Sequence, residues 1–338
     1  MALLREAFLC GSAVLVVSAI SDRLYFQEWT FPPYQWLNFN INQDLAVFYG
    51  RNDWHYYLSQ GLPLLLTTYL PFALIGLWRS TSLQSGQQAF TLVSIILLTI
   101  GTLSCIAHKE VRFIYPLLPI LHVIAAPVAS TFFLEEKATT IQSKIFTSTN
   151  IRRKPLLLII ILVNLLIAGY TSLVHQRGVV DVMGFLRNEF ESLPAEQQSS
   201  DPTQQFSMNG TFVAFLMPCH STPWRSKLIY PDLKAWALTC EPPIHLAART
   251  DERLAYRDEA DRFYDNPSEF LMNEINKDNR PWPRYVVGFQ GIQNDLYRYV
   301  ENSMQGLMIK ERWRGKNSDW HDDWRRTGDV VVWETVKL

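Results

Sequence analysis

Five stretches are apolar enough to need a non-aqueous surrounding, and all lie in the first half of the chain. They are residues 7–20, 61–78, 89–107, 113–134 and 155–174. A helix needs about 20 such residues to cross a bilayer. The first run reaches that length once residues 2–6 are added. A cleaved signal peptide fits it less well, because Glu6 dilutes the basic leader and Ser21-Asp22-Arg23 is a poor cleavage site. Pro63, Pro71, Pro116, Pro119 and Pro127 interrupt the runs. Membrane helices tolerate this where neighbours satisfy the freed carbonyls. Pro155 suits the first turn of the fifth run. His122, inside the fourth, reads as a satisfied, helix-facing polar group rather than a ligand.

After residue 174 the pattern changes to short β-prone runs between turn residues. Residues 211–217, 235–238, 285–289 and 329–334 read as strands. Residues 268–275, behind Asn266-Pro267 and with Ser268 as N-cap, and residues 292–299 read as helices. Residues 193–205 are polar and contain proline, as a loop does. The chain thus divides into a transmembrane region, 1–174, and an α/β domain, 175–338. Between the first two spans, residues 22–60 form a polar loop rich in Trp, Tyr and Phe. Such a stretch is an aromatic belt at the lipid–water interface, a surface for stacking sugars, or both. Residues 79–88 and 135–154 read as polar loops on the opposite side.

Composition alone hides this division. Mean hydropathy over the 338 residues is −0.02, and net charge is −1. The balance argues against a nucleic-acid surface. Cys10 and Cys105 fall in apolar runs, where buried thiols are expected. Cys219 and Cys240 fall in the polar half, and no spacing among the four suggests zinc or a CxxC pair. Loops 79–88 and 135–154 hold six Lys or Arg, against four in loops 22–60 and 108–112. This bias places the first pair in the cytosol and the α/β domain on the other side. Asn209-Gly210-Thr211 is a glycosylation sequon usable only on that other side.

His108-Lys109-Glu110-Val111-Arg112-Phe113 separates two spans. Four ionisable groups in five residues are costly in hydrocarbon, so they lie at a membrane boundary or face a polar cavity. The string is either a charged inter-helix turn or an anion site. In the second case, two cations stand beside an acid and a histidine able to change protonation near neutral pH.

This string resembles the signature of the endoplasmic-reticulum mannosyltransferases that use dolichol-phosphate mannose. Asp22-Arg23-Leu24-Tyr25, Phe48-Tyr49-Gly50 and the run from Trp54-His55 to Gln60-Gly61 resemble a loop of the same family. Further matching strings lie in the polar half: Met217-Pro218-Cys219-His220-Ser221-Thr222-Pro223, Cys240-Glu241-Pro242-Pro243, 258–267, and His321-Asp322-Asp323-Trp324-Arg325-Arg326. Together they resemble the branch of the family that acts on glycosylphosphatidylinositol (GPI) precursors. The shorter motif also occurs in the branch that builds lipid-linked N-glycans.

The resemblance implies a mainly α, multispan helical glycosyltransferase of the C type with a luminal α/β domain. It implies inverting transfer of an α-1,2-linked mannose from dolichol-phosphate mannose to the GPI precursor carrying two mannoses. It implies no metal and no cofactor. His108, Lys109, Glu110 and Arg112 would bind the donor phosphate, with Lys109 and Arg112 (i, i+3) on one helix face. Arg23, Trp54 and His55 belong to the substrate loop. Cys219 and Cys240, both within matching strings, would pair as a disulfide in an oxidising lumen. Family members carry an acidic base in an earlier luminal loop that is not found ahead of residue 22. The expectation is therefore an N-terminally incomplete chain, with Asp22 as stand-in base or as partner of Arg23. Asp322-Asp323 is expected to be structural. The competing reading is a non-enzymatic membrane protein, or an inactive fragment, whose luminal domain binds a partner.

Overall fold

The structure is a computed structural model. It describes residues 2–43, 45–81, 86–141, 144–193, 211–248, 250–275, 280, 282–320 and 323–337. Backbone contacts divide it into two compact units. One is Met1–Lys154 with Pro243–Ala255; the other is Pro155–Pro242 with Tyr256–Leu338. The fifth apolar helix therefore clusters with the polar half rather than with the other four. Among the described residues, five helical stretches are long and apolar enough to cross a membrane.

The first unit begins with α1 (Ala2–Phe26), which buries none of its apolar window. The aromatic loop is partly helical, with α2 (Pro32–Leu37) started by its two prolines. The second span is broken. α3 (Leu62–Leu66) and α4 (Leu70–Ser80) flank a tight turn over Thr67–Tyr69, where Thr67 has φ 47°. Pro71 in the first turn of α4 starts the helix afresh. α5 (Gly86–Ser104) follows, then a tight helical segment Val111–Leu117, then α6 (Leu118–Phe133). Gly76 lets α4 meet α6 backbone to backbone: a Cβ there would lie 2.5 Å from the Ile124 carbonyl oxygen. Tyr57, Leu62, Ala73, Ile96, Ile114, Leu121 and Ala125 fill the core between them. His122 is held by the Leu118 carbonyl at 2.7 Å and stacks on Tyr69. Cys10 and Cys105 are exposed rather than buried.

The expected polar loop after α6 is instead a hairpin, β1 (Leu134–Ile141) paired antiparallel with β2 (Lys144–Ile151). Its threonines, isoleucines and phenylalanine are strand-prone residue types, although no period of two marks them.

The second unit starts with α7 (Lys154–Leu173) and α8 (Gly178–Glu191). Its remaining elements are β3 (Val213–Leu216), α9 (Trp224–Lys227), β4 (Ala235–Ala237), α11 (Glu259–Asp265), α12 (Pro267–Asn273), β5 (Tyr285–Phe289), α13 (Gln293–Ser303), β6 (Leu307–Gly315) and β7 (Val330–Lys337). The short helix α10 (Asp251–Leu254) belongs to the first unit. The sheet order is β4-β3-β5-β7-β6, with β4, β3 and β5 parallel and the last two antiparallel.

Both faces of the sheet are covered, so its central strands are continuous apolar runs. Val330 and Val332 pack with α8 residues Val182, Leu186 and Phe190. Val331 and Trp333 point the other way, toward Phe263, Phe270 and Leu296. The edge strand β6 was not predicted because its charged residues 310–312 look like loop. The N-cap of α12 is Asn266, whose side chain accepts from the Glu269 amide. Ser268 instead donates to Asp295 at 2.8 Å.

Candidate active site at the charged turn

The turn lies between the end of α5 and the segment Val111–Leu117. Glu110 is extended (φ −137°, ψ 147°) and precedes that segment, so Lys109 is outside any helix. This corrects the expected (i, i+3) pairing: Lys109 and Arg112 do not share a face. Lys109 is 3% exposed, whereas the Arg112 side chain is 68% exposed.

The turn is fastened to the aromatic loop. The Lys109 ammonium donates to the Asn52 carbonyl at 2.9 Å, and the Asn52 side-chain amide donates back to the Lys109 carbonyl at 2.8 Å. The Asn52 backbone N–H donates to the Ala107 carbonyl at 3.1 Å. His108 bridges outward, with Nδ1 3.0 Å from the Gly50 carbonyl and Nε2 3.0 Å from Glu110 Oε1. Both partners are acceptors, so the two contacts are hydrogen bonds together only in the doubly protonated ring. Arg112 donates from Nη2 to Glu110 Oε1 at 2.7 Å and from Nε to Oε2, a forked pair. Burial pushes the Glu110 carboxyl up, but the hydrogen bonds from His108 and Arg112 prevail and hold it below its ordinary value. Burial lowers Lys109, against the pull of Asp53.

One carboxylate thus organises an imidazole and a guanidinium, and the outer guanidinium is open to a ligand. Lys109 is a fastener instead. Sequence reasoning gave Gly50 only as part of the family-like string Phe48-Tyr49-Gly50 and missed Asn52, whose only signal was a turn-prone Gly-Arg-Asn-Asp run at 50–53.

The other expected site residues stand apart from this cluster. Asp22 and Arg23 lie in the last turns of α1. Arg23 sits 6.0 Å over the Trp29 ring, and no ion pair links it to Asp22 among the described residues. Trp54 is exposed and meets His55 edge-on; His55 lies 3.6 Å from Asp53 and 3.0 Å from Ser59. Asn209, His321 and Asp322 lie outside the described residues. Asp323 caps the turn Trp324–Arg326 and pairs with Arg325 at 2.8 Å, which is structural work.

In the second unit Cys219 and Cys240 form a disulfide. It ties the loop after β3 to the loop after β4. Asp258 comes within 4.8 Å of both sulfurs, but sulfurs joined to each other are not the thiolates a metal requires. A cavity of about 740 Å³ opens beside the disulfide, lined by Trp224, Trp236, Thr239 and Arg280 among others.

The family model for Alg9-like mannosyltransferases matches residues 2–229. The chain belongs to the Alg9-like mannosyltransferase family. Among curated relatives it is similar to GPI mannosyltransferase 3 of Gibberella zeae, at 46% identity over 98% of this chain and 57% of that protein. It is 44% identical to GPI mannosyltransferase 3 of Emericella nidulans over 98% of this chain and 53% of that protein. It is 32% identical to GPI alpha-1,2-mannosyltransferase 3 of Homo sapiens over 87% of this chain and 45% of that protein. The chain spans about half the length of the curated relatives it matches. No solved structure matches it. As a mannosyltransferase-family member with five candidate spans, it is a membrane protein whose family handles lipid-linked sugars.

Proposed function

We propose that this chain carries the donor-phosphate site of an enzyme adding the third mannose to the GPI precursor. The donor is dolichol-phosphate mannose, the acceptor already bears two mannoses, the new linkage is α-1,2, and the site faces the endoplasmic-reticulum lumen. The observation that carries the reading is the forked Glu110–Arg112 pair with His108 behind it. As the glycosidic bond breaks, negative charge grows on the leaving phosphate. A preorganised guanidinium lowers that barrier most where little solvent must reorganise. Glu110 fixes one edge of Arg112, so its remaining N–H groups are aimed before substrate arrives. His108 fixes Glu110 in turn. Lys109 acts through the backbone by holding the turn against residues 50–52. Asp22 is not part of this cluster.

The luminal assignment is supported by the basic-loop bias and by the joining of loops 50–52 and 107–109, which must share one side. Protease digestion of the α/β domain in sealed microsomes would overturn it. The catalytic reading is tested by mannose transfer from labelled donor to the two-mannose precursor, in microsomes where this protein is the sole source of the activity. Normal turnover per folded molecule in Arg112→Ala would remove the phosphate-site role.

A further inference from the structure

The second unit holds a membrane-type helix and a soluble-type domain in one compact body, so the helix fixes how the domain meets the bilayer. α7 follows Arg152 and Arg153, begins at Lys154 and runs 20 residues. That is about 30 Å, one hydrocarbon thickness. Tyr170, in its last turn, therefore lies at the opposite interface, where tyrosine and tryptophan concentrate.

The domain is clamped to that point by several contacts. Trp320 stacks on Tyr170 (4.9 Å, 15°) and on His175 (5.5 Å, 27°). The Tyr170 hydroxyl donates to Asp319 at 2.7 Å, and Ser318 Oγ lies 2.8 Å from His175 Nδ1. The Gln176 amide donates to the Asn317 carbonyl at 2.6 Å, and the Gly178 amide to the Lys316 carbonyl at 2.8 Å. A Cβ at Gly178 would sit 2.7 Å from the Gly315 oxygen, so only glycine allows this approach.

The sheet register says which end of the domain this is. Gly315 pairs with Val330, and Val330 pairs with Phe289, the last residue of β5. The carboxyl ends of β3, β4 and β5 therefore point toward the span. α8 leaves Gly178, and in its last turn Phe190 lies beside Phe212 and Tyr230 at the amino end of the sheet. It carries the domain away from the bilayer. The exposed tryptophans among the described residues of the domain are Trp320 (58%) and Trp324 (64%), and both lie on the segment between β6 and β7 at the near end. The disulfide lies at this same end, where Arg326 donates to the Cys219 carbonyl at 3.4 Å, and the cavity runs from it along β4.

We infer that the carboxyl end of this sheet is a lipid-facing surface: Trp320 and Trp324 rest in the head-group layer. The two rings are amphipathic, with an apolar body for the acyl boundary and an N–H for the head groups, which is what an interface selects. The surface is continuous with the aromatic end of α7.

The test uses the full chain in phosphatidylcholine nanodiscs, with Cys10 and Cys105 replaced by alanine and the disulfide kept. A nitroxide is placed by Trp320→Cys, by Trp324→Cys as an independent position, or by Glu301→Cys at the distal end of α13. Relaxation by oxygen, which favours lipid, is compared with relaxation by a water-soluble nickel chelate. Labels at 320 and 324 should favour oxygen by several fold over the label at 301. Nickel-dominated relaxation at 320 and 324 would place them in water and overturn the inference. Shielding from both agents would put protein there instead of lipid, and would overturn it equally. Trp324→Cys keeps the test valid if Trp320→Cys does not fold.

Discussion

Glu110 in the first unit and Glu259 in the second meet the same electrostatic problem. Each is partly or wholly removed from water, each is paired with an arginine, and each is held below its ordinary value although burial pushes it up. Their surroundings differ. Glu259 also accepts from the Thr239 amide and hydroxyl at 2.7 Å, and its side chain is 9% exposed. Its partner Arg280 lies over the Trp236 ring and is 21% exposed. That pair closes inward and joins the ends of β4 and α11. The Glu110 pair closes on one side only, leaving the Arg112 side chain two-thirds exposed. A satisfied pair stabilises a fold, whereas a half-satisfied cation on a rigid base can take a ligand.

Mutations should separate these roles, and the largest effect is expected in the closed pair. Arg280→Ala strands a buried carboxylate and should cost about 3–5 kcal/mol, the usual range for breaking a buried pair. Thermal melting in detergent would register this, while turnover per folded molecule stays near normal. A small loss, under ~1 kcal/mol, would mean water relieves Glu259 and the pair is not closed. The disulfide comes next. Its 21-residue separation gives roughly 3 kcal/mol in the chain-entropy model, lost in Cys219→Ser. Thiol-trapping mass mapping that finds both cysteines free in native membranes would sink that prediction.

Arg112→Ala should behave oppositely to Arg280→Ala: turnover falls on the order of a hundredfold, with melting nearly unchanged. Arg112→Lys keeps the charge but loses the fork, so it should fall between wild type and alanine. Lys109→Met should lower protein level and turnover together, because it releases the turn from Asn52; a pure turnover effect would make Lys109 a ligand group after all. The smallest effect is on pH dependence. Both glutamates are depressed in the fold, so the stability they add is present above the ordinary carboxyl value. It is lost as pH falls through the folded one. Melting temperature should drop on acidification below about pH 4.3, and Glu259→Gln should flatten that drop. An unchanged slope would show that Glu259 does not contribute.

The spans were legible because a bilayer demands long apolar runs, which no other requirement obscures. The buried strands β3, β5 and β7 were legible for a similar reason. β6 and the hairpin β1–β2 were not, because charge on an edge strand mimics a loop. At the site, the spacing of His108, Glu110 and Arg112 showed a charge cluster but not its geometry. That geometry depends on Gly50 and Asn52, more than 50 positions earlier in the chain, and on an extended Glu110 that makes helical spacing irrelevant. Ser268 was misassigned because Asn266, two residues ahead, competes for the same cap.

The Asn52–Lys109 clamp has a consequence for biogenesis. It joins points 57 residues apart, and the segment between them contains two complete crossings of the bilayer. Neither partner can find the other until both crossings have been inserted in the right direction. A single inverted helix would leave Lys109 and Asn52 on opposite sides of the membrane. The charged turn is then assembled only on a correctly threaded chain, so threading errors are silent catalytically rather than producing a misdirected enzyme.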